Sequence, residues 1–295
     1  TKDFGHVRGI FDVSVEVDEG EGFGFLGPNG AGKTTLIRHL MGFTRPQSGT
    51  AEIDGMDCYR YAALLQKRIG YLPGEIALPV GVTGTEFLHM LIKMRGVKDE
   101  RYLKELLERF DLDAAQDTKR MSLGVKRKVA VVAAFLHDPE ILILDEPTSG
   151  LDPVMQENFI SFVKEQKAKG KTIFMSSHIF HEVDACCDRI AIIRDGHVVS
   201  TFRAETLRDT KDCIYRVTFR TPEDMDRFLS LPYSFTSVNR EKLRVRVEVT
   251  ANAVPHFAND LASFSVADFV EIPYTLEDYF MSFYKEDHHF AEVKA

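Results

Sequence analysis

The spacing of hydrophobic residues changes from segment to segment along this chain, and each spacing predicts an element. Phe23-Gly24-Phe25-Leu26 and Ile141-Leu142-Ile143-Leu144 are unbroken apolar runs of strand length. Runs of that kind predict parallel strands covered on both faces. Val13 to Val17 instead alternates apolar and polar positions, which predicts a half-buried strand, and Thr50 to Ile53 predicts another short one. Tyr61 to Arg68 is amphipathic and runs into Ile69-Gly70-Tyr71-Leu72-Pro73, where Pro73, having no N–H, ends a strand. From Gly84 to Phe110 the apolar residues Phe87, Leu88, Met90 and Leu91, then Leu103, Leu106 and Leu107, follow a helical period. That stretch predicts a helical insert. Val129 to Leu136 is small and branched almost without polar relief, so it predicts a buried helix.

Beyond Leu144 the two periods alternate. Asp152 and Pro153 fit an N-cap and a first-turn proline for a helix that Gly170 stops. A strand from Thr172 to Ser177, a helix from His178 to Cys187 and a hairpin around Asp195-Gly196 follow. Strand and helix in alternation imply a mostly parallel sheet, hence an α/β domain. After about Asp212 the order becomes strand, helix, two strands, helix, strand, with a last helix from Leu276 to Tyr284. This βαββαβ order suggests a small ferredoxin-like α+β domain. A chain of 295 residues with 44% hydrophobic content is long enough for both. The domains are expected at residues 1–211 and 212–295.

Charge narrows the function classes. A net charge of −8 argues against a surface built to hold nucleic acid. No run approaches the roughly 18 apolar residues of a membrane span, and no charged-then-apolar leader opens the chain, so a cytoplasmic protein is expected. Cys58, Cys186, Cys187 and Cys213 show no metal spacing and read as reduced packing residues.

Candidate chemistry starts at Gly27-Pro28-Asn29-Gly30-Ala31-Gly32-Lys33-Thr34-Thr35, a G-x-x-x-x-G-K-[ST] loop between a predicted strand and a predicted helix. Its glycines let successive N–H groups, at Asn29, Gly30, Ala31 and Gly32 among others, point at one spot that the helix N-terminus also faces. Such a spot binds phosphate. Lys33 would reach the β- and γ-phosphates of a nucleotide, Thr34 would be a Mg²⁺ ligand, and Thr35 with neighbouring amides would hold the α- and β-phosphates. A glycine turn with a basic residue by chance is the plainer alternative. Asp145 and Glu146 close an apolar strand, where open α/β sheets bind ligands. Asp145 would bind Mg²⁺ through water, and Glu146 would be the general base. Glu146 as an N-cap or surface acid is the alternative reading. His178 alone reads first as a packed or solvated histidine; its place after the next strand makes it a candidate to contact the γ-phosphate and hold the attacking water.

Taken in order, these residues resemble the nucleotide-binding domains of ATP-binding cassette (ABC) transporters. The resemblance covers roughly residues 1–210, with a helical subdomain at about 78–135. It includes a Q-loop region at Ile69 to Glu75, a signature-like Met121-Ser122-Leu123-Gly124-Val125-Lys126, and a D-loop Ser149-Gly150-Leu151-Asp152. The family implies that Phe4 stacks on adenine, and that Ser122 and Gly124 face the γ-phosphate held by a second subunit, another copy or a homologue. ATP would then be sandwiched in a head-to-tail dimer. It further implies a peripheral ATPase subunit on the inner face of the cell membrane. That subunit would energise a separate permease, with export the expected direction, through a groove lined by Gly84 to Arg95.

Two departures stand out. Gly74, followed by Glu75, occupies the place of the Q-loop glutamine, so Glu75, a water or the backbone must serve instead. The signature also departs: the family's Leu-Ser-Gly-Gly-Gln is here Met121-Ser122-Leu123-Gly124-Val125, with Ser122 and Gly124 kept, while the Lys126-Arg127-Lys128 that follows fits the family, or is three exposed charges opening a helix. The region from about 212 resembles accessory domains of bacterial drug, antimicrobial-peptide or ion export subunits, with dimer contact or regulation as its implied role and mere cover for an edge of the core as the plainer one. The alternative function is a soluble ABC ATPase of the translation or DNA-repair type. The extra cassette, coiled coil or zinc-binding cysteines that such proteins carry are not visible here.

Overall fold

The computed structural model describes residues 1–6, 8–208, 212–272, 276, 277 and 280. They form two compact units, Thr1–Ala204 and Glu205–Ala295.

The first unit is built on a six-stranded sheet made of β1 (Gly22–Leu26), β2 (Ile69–Leu72), β3 (Ile141–Asp145), β4 (Thr172–Ser177), β5 (Arg189–Arg194) and β6 (His197–Arg203). Their order across the sheet is β6-β5-β1-β4-β3-β2. All neighbours run parallel except the hairpin pair β5 and β6. The unbroken apolar runs are the interior strands β1 and β3, and Phe23, Phe25, Leu142, Ile143 and Leu144 are buried. Helices cover both faces, as a parallel sheet requires. They are α1 (Lys33–Leu40), α2 (Gly84–Arg95), α3 (Arg101–Arg109), α4 (Leu123–Phe135), α5 (Pro153–Ala168) and α6 (Phe180–Cys186).

Local chemistry accounts for where these helices start and stop. Thr83 and Glu86 form a capping box at the start of α2, each bonding the other's backbone N–H, and Gly96 in the left-handed region ends that helix. At α5, Asp152 accepts from Met155 N while Pro153 takes the first helical position. Phe135 of α4 meets Phe159 and Phe162 of α5 edge-on, and Phe162 meets Phe110 after α3 in the same way. This aromatic cluster joins the predicted helical insert to the sheet-covering helices.

The alternating segment Val13 to Val17 is a correction. It forms no strand and carries no ladder bonds. Its alternation is nevertheless physical: Val13, Val15 and Val17 pack against the core. The strand expected at Thr50 to Ile53 shrinks to Glu52–Ile53, paired with Met56–Asp57 across Asp54-Gly55. Both turn residues there have positive φ, 52° and 72°, as a tight two-residue hairpin demands.

The second unit holds β7 (Asp212–Phe219), α7 (Pro222–Leu229), β8 (Ser234–Asn239), β9 (Arg244–Thr250), α8 (Val254–Leu261) and β10 (Val266–Ile272). Its antiparallel sheet has the order β8-β9-β7-β10. Alternate residues Val217, Val245 and Val247 face Phe228 and Phe257 of the two helices in one apolar core. The helix expected over Leu276 to Tyr284 lies outside the described residues apart from Leu276, Glu277 and Phe280. No helix among the described residues is long and apolar enough to cross a membrane.

Candidate active site

Strand register determines what gathers at the carboxyl edge of the first unit's sheet. Leu26 pairs with Ser177, Asp145 with Ser176, and Leu72 with Leu144. The four strands therefore end within two residues of one another, each of the last two stopping one residue short of its neighbour. Gly27, His178, Glu146 and Pro73 must emerge side by side, where open parallel sheets bind ligands.

After β1 the glycine-rich loop turns tightly into α1. A Cβ at Gly27 would lie 2.3 Å from the carbonyl of Ile193. Gly32 has φ 108° and would bring a Cβ within 2.6 Å of Ile10 Cγ2. Only glycine fits either position. Gly32 caps α1 without a side-chain acceptor, so the helix's first N–H groups face the loop. Lys33 is buried, and its ammonium donates to the carbonyls of Gly27 at 2.6 Å and Pro28 at 3.1 Å. The same ammonium pairs with Glu146 Oε1 at 2.9 Å.

Glu146 adopts φ 47°, a left-handed conformation that costs a non-glycine residue about 1–3 kcal/mol. Its N–H donates to Ser176 O at 3.0 Å, and its carbonyl accepts from Ser149 N at 3.2 Å. The turn these bonds close aims the carboxylate at the loop, and His178 Nδ1 lies 2.5 Å from Oε2. Asp145, one residue earlier, is 1% exposed. Its Oδ2 accepts from the Thr34 hydroxyl at 2.9 Å, and its Oδ1 accepts from the Ser176 hydroxyl.

Asn29, Thr34, Gly74, Glu75, Asp145, Glu146 and His178 line one cleft of about 530 Å³, to which Arg38, Phe43, Tyr71, Pro73 and Ser149 also contribute. Not every expected residue joins it. Phe4 follows the two-residue strand Lys2–Asp3 and is 59% exposed, with the Lys2 ammonium 5.5 Å over its ring. Ser122 caps α4, accepting from Val125 N at 3.3 Å, and is exposed beside Leu123. Gly124 meets the D-loop, since a Cβ there would sit 3.3 Å from Gly150 O.

Two buried charges stand behind the cleft: Glu182 is not singled out by the sequence, and Arg127 reads there only as one of three basic residues at 126–128. Glu182 of α6 is 2% exposed and accepts from the hydroxyls of Thr148 and Ser177. Burial pushes its carboxyl up to about 7; the Ser177 hydroxyl opposes the shift, the Glu146 charge adds to it, and Arg127 opposes it. Arg127 is likewise 2% exposed, which overturns the reading of three exposed charges at 126–128. Both positions had a signal. Glu182 lies one helical turn beyond His178, and Arg127, Val131 and Ala134 share the buried stripe of α4.

Comparison with known proteins agrees with this geometry. A family described as ABC transporter matches residues 10–149. The chain is 35% identical over 211 residues to the ABC transporter ATP-binding protein NatA of Bacillus subtilis (strain 168), covering 70% of this chain and 86% of that one. It is 36% identical over 216 residues to the bacitracin transport ATP-binding protein BcrA of Bacillus licheniformis, covering 70% and 69%. A solved ATP-binding subunit of an ABC transporter superposes with TM-score 0.63 at 33% identity, over 68% of this chain and 85% of that one.

Proposed function

The chain belongs to the ABC transporter ATP-binding family, and from that premise we propose that it hydrolyses Mg²⁺-ATP to drive a separate membrane permease, with export as the direction. The observation that carries the proposal is the grip of Lys33 and His178 on the two oxygens of Glu146, at the mouth of the glycine-rich loop.

Glu146 is the general base that takes a proton from the attacking water, and His178 orients it and contacts the γ-phosphate. Lys33 exchanges its carboxylate partner for the β- and γ-phosphate oxygens, which frees Glu146 for the water. Asn29, Gly30, Ala31 and Gly32 offer backbone N–H groups to the phosphates, Thr35 holds the α- and β-phosphates, and Phe4 stacks on adenine. Thr34 and Asp145 fit Mg²⁺: a hydroxyl and a carboxylate already within 2.9 Å are the hard oxygen donors it takes, and it needs only one or two from the protein. When bound, the ion neutralises charge on the β- and γ-phosphates.

Ser122 and Gly124 stand at an exposed helix start and serve the γ-phosphate of a second subunit, so the working form is a head-to-tail dimer. BcrA, named for bacitracin transport, supports a transport role for this chain. The permease docks beside α2 and holds the subunit at the inner membrane face. The C-terminal unit contributes dimer contact or regulation.

Turnover as a function of protein concentration tests the proposal. Hydrolysis should rise more steeply than in proportion to concentration, because two subunits complete each site. Strict proportionality from a monomer would contradict it.

A further inference from the structure

Arg127 is a buried charge that the mechanism above does not use. It sits in the first turns of α4, and its guanidinium donates to three backbone carbonyls: Nε to Ser149 O at 2.8 Å, Nη1 to Pro73 O at 2.9 Å and Nη2 to Gly74 O at 2.6 Å. These carbonyls belong to two loops, one after β2 and one after β3. The strands are neighbours, but past Leu72 and Leu144 no ladder bond ties their continuations together. A planar guanidinium holds its donors at fixed angles, so three such bonds set the relative position of the two loops.

Each loop touches a catalytic carboxylate. A Cβ at Gly74 would lie 3.2 Å from Asp145 Oδ2, so this backbone is packed directly on that side chain. Ser149 closes the turn that holds Glu146 in its left-handed conformation. Having no side chain, Gly74 has only backbone groups with which to engage the site, and its carbonyl is held by Arg127. Burying an arginine is costly unless acids compensate it, and here the charges of Asp145, Glu146 and Glu182 all act on it.

We propose that Arg127 is a positioning residue for hydrolysis: its three-carbonyl clamp locks the Gly74 loop to the Ser149 turn, so that displacing one loop displaces the other and the carboxylate it carries. The proposal rests on the ATPase reading of the site.

The test compares Arg127→Gln and Arg127→Lys with the parent chain. Lysine keeps the charge paired with its acids but lacks the fork. Amide hydrogen exchange without nucleotide is read over 74–76 and 148–151, with β3 as control, and steady-state kinetics with Mg²⁺-ATP follow. For both variants exchange should rise in both loops together and not in β3. Turnover should fall about 10–100-fold, with KM within about threefold, since small misplacement of reacting groups acts on kcat. Exchange rising in one loop only, turnover within about threefold of the parent, or KM and the melting temperature collapsing with kcat would each overturn the clamp. Exchange needs no turnover, so a parent that fails to hydrolyse ATP refutes the functional reading and leaves the joint exchange result to judge the linkage.

Discussion

His178 Nδ1 lies 2.5 Å from Glu146 Oε2, while Lys33 Nζ lies 2.9 Å from the other oxygen of the same carboxylate. The carboxylate is thus hydrogen-bonded at one oxygen and ion-paired at the other, and the imidazole is the partner that sets its orientation. Removing the imidazole should therefore damage the chemical step more than nucleotide binding. For His178→Ala, steady-state kinetics should give a kcat about 100-fold lower with KM changed by less than about threefold. An unchanged kcat would remove His178 from the catalytic set.

Thr34 and Asp145 share a hydrogen bond where a cation would sit. Thr34→Ala keeps the loop backbone but removes one oxygen donor. A Mg²⁺ titration of turnover should show the half-maximal concentration rising about 10–100-fold, while nucleotide binding without the metal stays as in the parent. Equal losses with and without Mg²⁺ would place Thr34 on the phosphates instead.

Much of this site could be read in the chain itself, for reasons that particular residues make plain. The apolar runs ending at Leu26 and Leu144 fixed two parallel strands, and the glycine loop and the Asp145-Glu146 pair sit directly after them, so local sequence placed the chemistry. Val13 to Val17 misled because alternation reports a buried face and does not say whether a neighbouring strand exists. Arg127 stayed hidden because its partners are carbonyls of distant loops, and carbonyls have no signature in sequence. Its basic neighbours Lys126 and Lys128 reinforced the wrong impression. Glu182 stayed hidden for a related reason, since the hydroxyls of Thr148 and Ser177 reach it only after β3 and β4 pair.

Glu182 makes stability depend on pH with a definite sign. Burial raises its carboxyl from an ordinary 4.5 to about 7, so the folded chain holds that proton more tightly than the unfolded one. Its favourable contribution is full below about pH 4.5 and is lost as pH rises through about 7. His137 acts oppositely, because burial lowers it to about 4 and its contribution is lost as pH falls from about 6.5. The two windows overlap, so the readout is a difference. Urea unfolding of the parent relative to Glu182→Gln should show a stability difference that moves against the parent from about pH 5 to about pH 8. A difference independent of pH would mean Glu182 does not titrate there.

Phe135 is fully buried at the meeting of α4 and α5, edge-on to Phe159 and Phe162. Phe135→Ala removes a ring from a site that cannot collapse, and urea unfolding should show a loss of about 3–5 kcal/mol. A loss under about 1 kcal/mol would mean the aromatic cluster is not a rigid part of this core.

The central claim is that Glu146 is the base of an ATP-sandwiched dimer. Turnover and oligomeric state of Glu146→Gln, measured beside the parent with ATP and Mg²⁺, test it most directly. Glutamine keeps the shape but cannot take the proton, so hydrolysis should slow by about 10²–10⁴ and unreacted ATP should hold the variant as a dimer. A variant that hydrolyses at the parent's rate and stays monomeric would contradict the account.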